Sequence, residues 1–432
     1  MKNISIHWFR RDLRLFDNTA FLKSLNSNQA VLPLFVFDTS ILNLLSKDDA
    51  RVQFIFDQIE SMKKELEEHR SSLYVYYGTP KEAFMALQKE YSILEVFTNR
   101  DYEPYAQSRD LEMNNWFSSQ NISFTGAKDH VIFEKSEIVK DNGEPYSVFT
   151  PYSKKWKAKL TSDHLIEHKS QNYFHNLLQC APIEMPSLAS MGFTGSSLEF
   201  PKNKLDRGLI EAYAEKRDIP SVRGTSRLSL HLRFGTVSIR QLIRDGKNWS
   251  DTWLNELIWR EFYQMILYHY PNSATEEFRP KYARIPWRTD MDDFELWCIG
   301  KTGYPLVDAG MRELNSTGFM HNRVRMVVAS FLTKHLLLDW RLGERYFAEK
   351  LLDFELASNV GGWQWAAGCG CDAAPYFRVF NPELQMKKFD PDLKYVKTWV
   401  PEYGTPSYPD PIVEHKFARE RAISTYKKAL NP

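Results

Sequence analysis

Cysteine is scarce: the 432 residues include four, Cys180, Cys298, Cys369 and Cys371. Four scattered thiols cannot staple so long a chain, which excludes a disulfide-built scaffold and fits a reducing compartment. No apolar run approaches the roughly eighteen residues of a membrane span, and the start MKNISIHWF enters a strand-like pattern, not a signal-peptide pattern. A soluble, cytoplasmic protein is therefore expected. Charge of one sign is missing too: 56 basic against 55 acidic side chains leave a net charge of +1, so a nucleic-acid partner would have to be met by a local basic face. The glycine fingerprint of dinucleotide binding is absent after the first strand-like run. Phe9-Arg10-Arg11-Asp12-Leu13-Arg14 stands in its place, which argues against a dehydrogenase. Neither an internal repeat nor a low-complexity tract is present.

What is abundant is apolar and aromatic. A 43% hydrophobic content over this length can bury two substantial cores, and nine of the 12 tryptophans fall between Trp249 and Trp399. In residues 1–125, short apolar runs at 4–9, 31–37, 73–77 and 93–98 read as buried strands, alternating with helical patterns at 50–69 and 80–91. Right-handed crossovers make of this an α/β, doubly wound parallel sheet. From 126 to 204 the periodicity breaks down among Pro, Ser, Asn and Gly apart from short helical pieces such as 152–160, and a segment of this kind reads as a connector. Residues 205–432 are helical in pattern almost throughout.

Four strings in the helical half carry chemistry. In Gly224-Thr225-Ser226-Arg227-Leu228-Ser229, hydroxyls precede an apolar helical run; the string reads first as an ordinary helix cap, and otherwise as donors for an anionic group at a helix start. In 253–263, Glu256, Trp259, Arg260 and Tyr263 share one helix face at i, i+3, i+4 and i+7. That face is either a Glu256–Arg260 surface pair beside core aromatics or a pocket wall that stacks on a flat ligand and bonds its edge. In 320–326, Asn322 and Met326 lie one turn apart, and an asparagine inside so apolar a helix implies a polar partner, or else a cap at the helix end. In 353–382, acidic groups, an amide, a glycine pair and two tryptophans converge, with Pro375 expected to end any preceding helix. Together the strings describe an aromatic-rich polar pocket in a helical domain.

In these residues the chain resembles the photolyase and cryptochrome family, closest to the photolyases acting on cyclobutane pyrimidine dimers. The resemblance spans essentially the whole chain and is carried, in fixed order, by WFRRDLRLFDN, GTSRLS, WLNELIWREFY, KTGYPLVDAGMREL, MHNRVRM and GGWQWAAGCGCDAAPYFRVFNP. It implies an α/β antenna domain, a connector and an all-α C-terminal domain that binds FAD, and light-driven repair of damaged DNA by a monomer. Carried over position by position, the cofactor residues are Tyr213, Thr225, Ser226, Arg227, Leu228, Ser229, Trp253, Glu256, Arg260, Asn322, Arg325, Asp353, Phe354, Glu355 and Asn359. Arg325 and Asp353 match an ion pair beside the flavin ring, and Asn359 matches the residue facing flavin N5. Glu256, Trp259, Asn322, Arg323, Met326 and Trp365 match the pocket for an everted dimer, and Arg217, Arg323 and Arg378 match positions that meet the DNA backbone. Trp363, Trp340 and Trp287 match a relay that photoreduces the flavin; spacing alone is equally compatible with three core tryptophans.

The resemblance leaves a light sensor of the cryptochrome type as the alternative. Asn359 and a chain expected to have no signalling tail after the helical run 416–430 count against it, and six-four photolyases place histidines where Asn322 and Met326 stand. A flavin oxidoreductase would need a nicotinamide site that is not evident. Glu355 stands where the family commonly has Asp, which puts a side-chain contact to the flavin in doubt. Cys369 and Cys371 read as small rim residues, since a CxC pair alone lacks further metal ligands. Arg51, Glu103, Pro104, Tyr105, Arg109 and Asp110 resemble the branch that binds a deazaflavin or flavin antenna more than the branch binding methenyltetrahydrofolate; an antenna domain without pigment is also compatible.

Overall fold

The computed structural model describes residues 1–431. The apolar N-terminal runs form parallel strands buried on both faces, which is why they read as continuous Val, Ile, Leu and Phe and not as an alternation. β1 (Lys2–Phe9), α1 (Thr19–Leu25), β2 (Ala30–Asp38), α2 (Ala50–Glu68), β3 (Tyr74–Gly78), α3 (Pro80–Leu87), β4 (Tyr91–Asn99), α4 (Pro104–Ser119) and β5 (Ser123–Ala127) follow one another. The sheet order is β3-β2-β1-β4-β5, all parallel, with Ile4 paired to both Ala30 and Ile93. The chain thus builds one side of the sheet from β1 outward and then crosses back to β4, the doubly wound pattern expected. Helix starts are chemically marked: Asn18 accepts from the Phe21 N–H, Asp49 from Arg51, and Thr79 and Glu82 form a reciprocal capping box.

Two compact units arise, and neither is a continuous stretch of chain. The first comprises Met1–Glu134, Lys159–Leu205 and Arg227–Lys247; the second comprises Lys135–Ala158, Asp206–Ser226 and Asn248–Pro432. The first unit's core gathers Ile4, Ile6, Trp8, Leu34, Phe84, Val96 and Phe117 from the sheet and its helices. Beside it lies a buried charge network in which Arg240, on the helix Ile239–Gly246, bonds Asp17 (2.9 Å) and Asp129 (2.8 Å), and Arg14 bonds Asp129 (2.5 Å).

The second unit is helical. It includes the helix Phe149–Lys159 up to Ala158, α5 (Asp251–His269), α6 (Asn322–Ser330), α7 (Trp340–Lys350), α8 (Leu356–Ala367) and the helix His415–Leu430. A π-helical stretch, Phe331–His335, continues α6. Trp297, Val328, Phe331, Leu332, Trp340, Phe347 and Trp363 pack in its core. α8 ends at Gly368, whose φ of +87° closes the helix through an N–H to the Gln364 carbonyl (3.0 Å). The expected stop at Pro375 is therefore seven residues late: a left-handed glycine ends the helix first. Among the described residues no helix is long and apolar enough to cross a membrane.

Candidate functional site

α5 carries the mixed face anticipated from its spacing, capped by the Ser250 hydroxyl on the Trp253 N–H. Trp253 is buried. Trp259 and Tyr263 come together, with ring centroids 5.4 Å apart. The simple surface pair of Glu256 with Arg260 does not form. Glu256 instead accepts from Arg217 at 2.5 Å, while Arg260 donates to Glu355 at 2.9 Å. Burial pushes the Glu256 carboxyl above its ordinary value, and the Arg217 guanidinium opposes that rise.

Arg217 starts a chain of contacts. Asp218, its neighbour, accepts from Arg323 at 2.9 Å; Arg323 also touches the Met326 sulfur (3.8 Å) and lies over the Phe389 ring (4.3 Å). Five groups singled out from three separate places in the sequence, Arg217, then Glu256 and Trp259, then Arg323 and Met326, therefore belong to the helices and turn of one linked cluster. Trp259 is further fixed by Phe149, stacked on its indole at 3.8 Å and 5°. Phe149 lies in the segment read as a connector, and only tertiary contact reveals it. Trp365 packs at 6.4 Å from Phe380, over which exposed Arg378 lies at 5.5 Å.

Asn322 corrects the sequence reading. It is the first residue of α6, exposed, and His321 caps the helix through its ring nitrogen on the Arg323 N–H (3.2 Å). A polar residue in the first turn needs no interior partner, so the position costs the helix little. Farther along, Arg325 makes two bonds to Asp353 (3.2 and 3.1 Å) and one to the Met320 carbonyl (2.7 Å). Phe354 is half-buried beside Asp353. Glu355 is committed to the protein: Arg260 and Gln264 each donate to it at 2.9 Å and Ser358 at 3.1 Å. Asn359 donates twice to Glu344 on α7, to the backbone carbonyl (3.0 Å) and the carboxyl (2.9 Å), leaving its own amide oxygen to be presented. Burial raises the Glu344 carboxyl, opposed by the Asn359 bond.

The string 224–229 is not the helix cap it first resembles. The following helix, Ser229–Phe234, has Leu228 at its N-cap and no side-chain cap bond. Thr225 and Ser226 are half-buried, while Arg227 takes a left-handed φ of +52° immediately before Leu228 at φ −81°, ψ −1°. Successive left- and right-handed residues turn neighbouring N–H groups to one side, a nest suited to an anion. Tyr213, buried, begins the short helix Tyr213–Lys216, and the Arg217 guanidinium lies 5.3 Å from its ring. Within the helical unit, the Thr225 and Ser226 hydroxyls, the buried Trp253 and the Arg325–Asp353 pair are groups of the kinds that a ligand combining a diphosphate, a polyol and a flat ring requires.

Of the relay candidates, Trp363 and Trp340 are buried and Trp287 half-buried. Trp363 meets Phe347 at 5.0 Å and Trp297 at 6.1 Å; Trp340 lies under Arg341 (4.7 Å), and Trp287 meets Tyr426 edge-on at 5.9 Å. Cys371 lines a small cavity with Tyr263, Val360, Gly361, Gln364 and Gly370, and the Cys369 sulfur lies 3.8 Å from the Gln364 carbonyl. Among the described residues no cluster of three metal-ligating side chains occurs. In the first unit, Arg51 bonds Asp49 (2.5 Å), Glu103 accepts from Arg11 (2.9 Å) and Arg233 (2.8 Å), Tyr105 donates to Asp38 (2.7 Å), and Arg109 bonds Asp110 (3.1 Å).

Residues 5–171 match the family model described as DNA photolyase, and residues 253–406 match the FAD binding domain of DNA photolyase. The deoxyribodipyrimidine photo-lyase of Alkalihalophilus pseudofirmus is 34% identical over 97% of both chains. The chain belongs to the DNA photolyase family. A bacterial class III photolyase from Agrobacterium tumefaciens has the same fold at a TM-score of 0.88 and 30% identity, covering 100% of this chain and 98% of that one. An archaeal photolyase from Sulfolobus tokodaii, solved with two FAD molecules, matches at 0.83 and 32% identity over 99% and 100% of the two chains. The helical unit accordingly contains a photolyase FAD-binding domain, and Trp253, Arg325 and Asp353 lie within the matched residues.

Proposed function

We propose that this photolyase-family protein repairs cyclobutane pyrimidine dimers in DNA under blue light, with reduced FAD as the electron source. The observation that supports this most is the linked cluster of Arg217, Glu256, Asp218, Arg323 and Met326 beside Trp259, a flat apolar wall with a hydrogen-bonding rim. Such a wall suits two joined neighbouring bases of one strand taken out of the stack, which must be covered by aromatic surface and bonded at their edges. FAD, when bound, would supply reversible one-electron transfer with no net redox change.

The chain's own groups do the rest. Trp259, braced from behind by Phe149, packs on the pyrimidines together with Trp365. Glu256 bonds the base edge and steadies the negative charge that develops there, and Met326 supplies a polarizable wall. Asn322, Arg323 and Arg378 reach DNA beside the pocket. Arg325, Asp353 and Asn359 would hold the flavin ring, and Tyr213 with Thr225 and Ser226 would hold the phosphates and polyol. Trp363, Trp340 and Trp287 carry electrons inward from the surface. In the first unit, a flavin or deazaflavin is the proposed second pigment, if the unit holds one; mass analysis of the released cofactors reports this, and a folate would contradict it.

The test compares wild type with Glu256→Ala and Trp259→Ala, each with its flavin reduced before mixing with DNA containing thymine dimers. Both substitutions should lower repair per absorbed photon while FAD remains bound. Light-dependent binding of a protein partner with unchanged dimers in all three proteins would instead favour a sensor.

A further inference from the structure

Gly343 lies in the first turns of α7 (Trp340–Lys350), buried and in ordinary right-handed conformation. Glycine in a helix interior is costly, and nothing in its own backbone geometry calls for it. Its surroundings do. A Cβ added there would come within 2.6 Å of Leu332 Cδ2 and closer still to the Cζ3 and Cη2 ring atoms of Trp363. The Leu332 methyl could rotate aside. The indole could not, because Phe347 meets it at 5.0 Å and 80° and Trp297 at 6.1 Å and 70°.

Trp340, Gly343 and Phe347 stand at i, i+3 and i+7 and so share one face of α7. The Trp363 ring rests on this face at the one place where the helix has no side chain. Trp363 and Trp340 are both buried in the same core, at 2% and 1% exposure. Electronic coupling between two rings falls exponentially with separation, and any side chain at position 343 would lift one indole away from the helix that carries the other. We infer that Gly343 is a positioning residue for the electron relay: by leaving α7 bare it seats Trp363 close to Trp340 and sets the rate at which an electron passes between them. The inference rests on the proposed relay through Trp363, Trp340 and Trp287.

The experiment uses FAD-loaded Gly343→Ala and Trp363→Phe proteins, with two readouts in each: flavin photoreduction by an external reductant, followed by flash absorption, and dimer repair after the flavin has been reduced chemically. Gly343→Ala should slow photoreduction several-fold and leave repair by the chemically reduced protein unchanged. Equal losses in both readouts, or no loss of photoreduction while Trp363→Phe abolishes it, would overturn the role of Gly343. Photoreduction unaffected by Trp363→Phe would instead overturn the relay itself. A thermal cycle adds a reading that does not depend on activity. Gly343→Ala should lower the unfolding midpoint in the wild-type background and lower it less when Trp363→Phe provides room, including where Gly343→Ala alone fails to fold. An equal loss in both backgrounds would show that position 343 does not act through Trp363.

Discussion

Glu256 is held between two opposing influences, burial that favours its protonated form and an Arg217 guanidinium at 2.5 Å that favours the charged one. If the protonated carboxyl donates to the dimer, repair should fall as pH rises through its elevated pKa. Arg217→Ala should move that fall to higher pH, and Glu256→Gln should remove it; single-turnover repair measured across pH tests both. The first unit contains a different set of titrating groups. Burial lowers His130 to about 4, and Asp12, which burial alone would raise, is brought down to about 2 mainly by His7. A histidine whose folded pKa lies below its unfolded value costs stability as pH falls from about 6.5 to 4, and the lowered Asp12 adds a loss only below about 3.8. The fall attributable to His130 is on the order of 3 kcal/mol, and His130→Gln should flatten urea-unfolding midpoints between pH 6.5 and 4.

At the scale of elements, the buried Arg240 joins the helix Ile239–Gly246 to Asp17, just before α1, and to Asp129, just after β5. Arg240→Met strips partners from buried carboxylates and should cost about 3–5 kcal/mol in denaturant unfolding; a loss near zero would mean that the network is not a stabilising one. β1 to β4 were legible because their apolar runs are long enough to outweigh noise. β5 was not: SFTGA is short, polar and half-exposed at the sheet edge, and its strand character comes from pairing with β4. Local patterns also misled where tertiary structure decides. The hydroxyls of 225–226 cap nothing because the helix starts at Ser229, and Asn322 is a helix start because His321 caps α6. Phe149 behind Trp259 and Glu344 behind Asn359 had no sequence signal, as each acts across a long separation in the chain. Gly343 did have one, a lone glycine within a helical pattern.

Across the whole molecule, the motifs were legible as an ordered set even where single strings were ambiguous, because the helical unit gathers Arg217, Glu256, Arg323 and Met326 into one cluster from separate parts of the chain. A net charge of +1 gives no global attraction to DNA, so the proposed binding rests on a few local arginines. Arg378, exposed over Phe380, is proposed as one of them. Arg378→Ala should weaken binding to damaged and undamaged DNA alike and reduce the slope of log K against log salt by about 0.9; an unchanged slope would remove it from the contact set. The most direct measurement of the central claim uses an oligonucleotide carrying one thymine dimer, incubated with the fully reduced protein without oxygen, in darkness and under blue light. The account predicts many intact thymine pairs per protein molecule in the light, none in the dark, and flavin still reduced at the end. Dimers that persist under illumination while the flavin stays bound and reduced would contradict it.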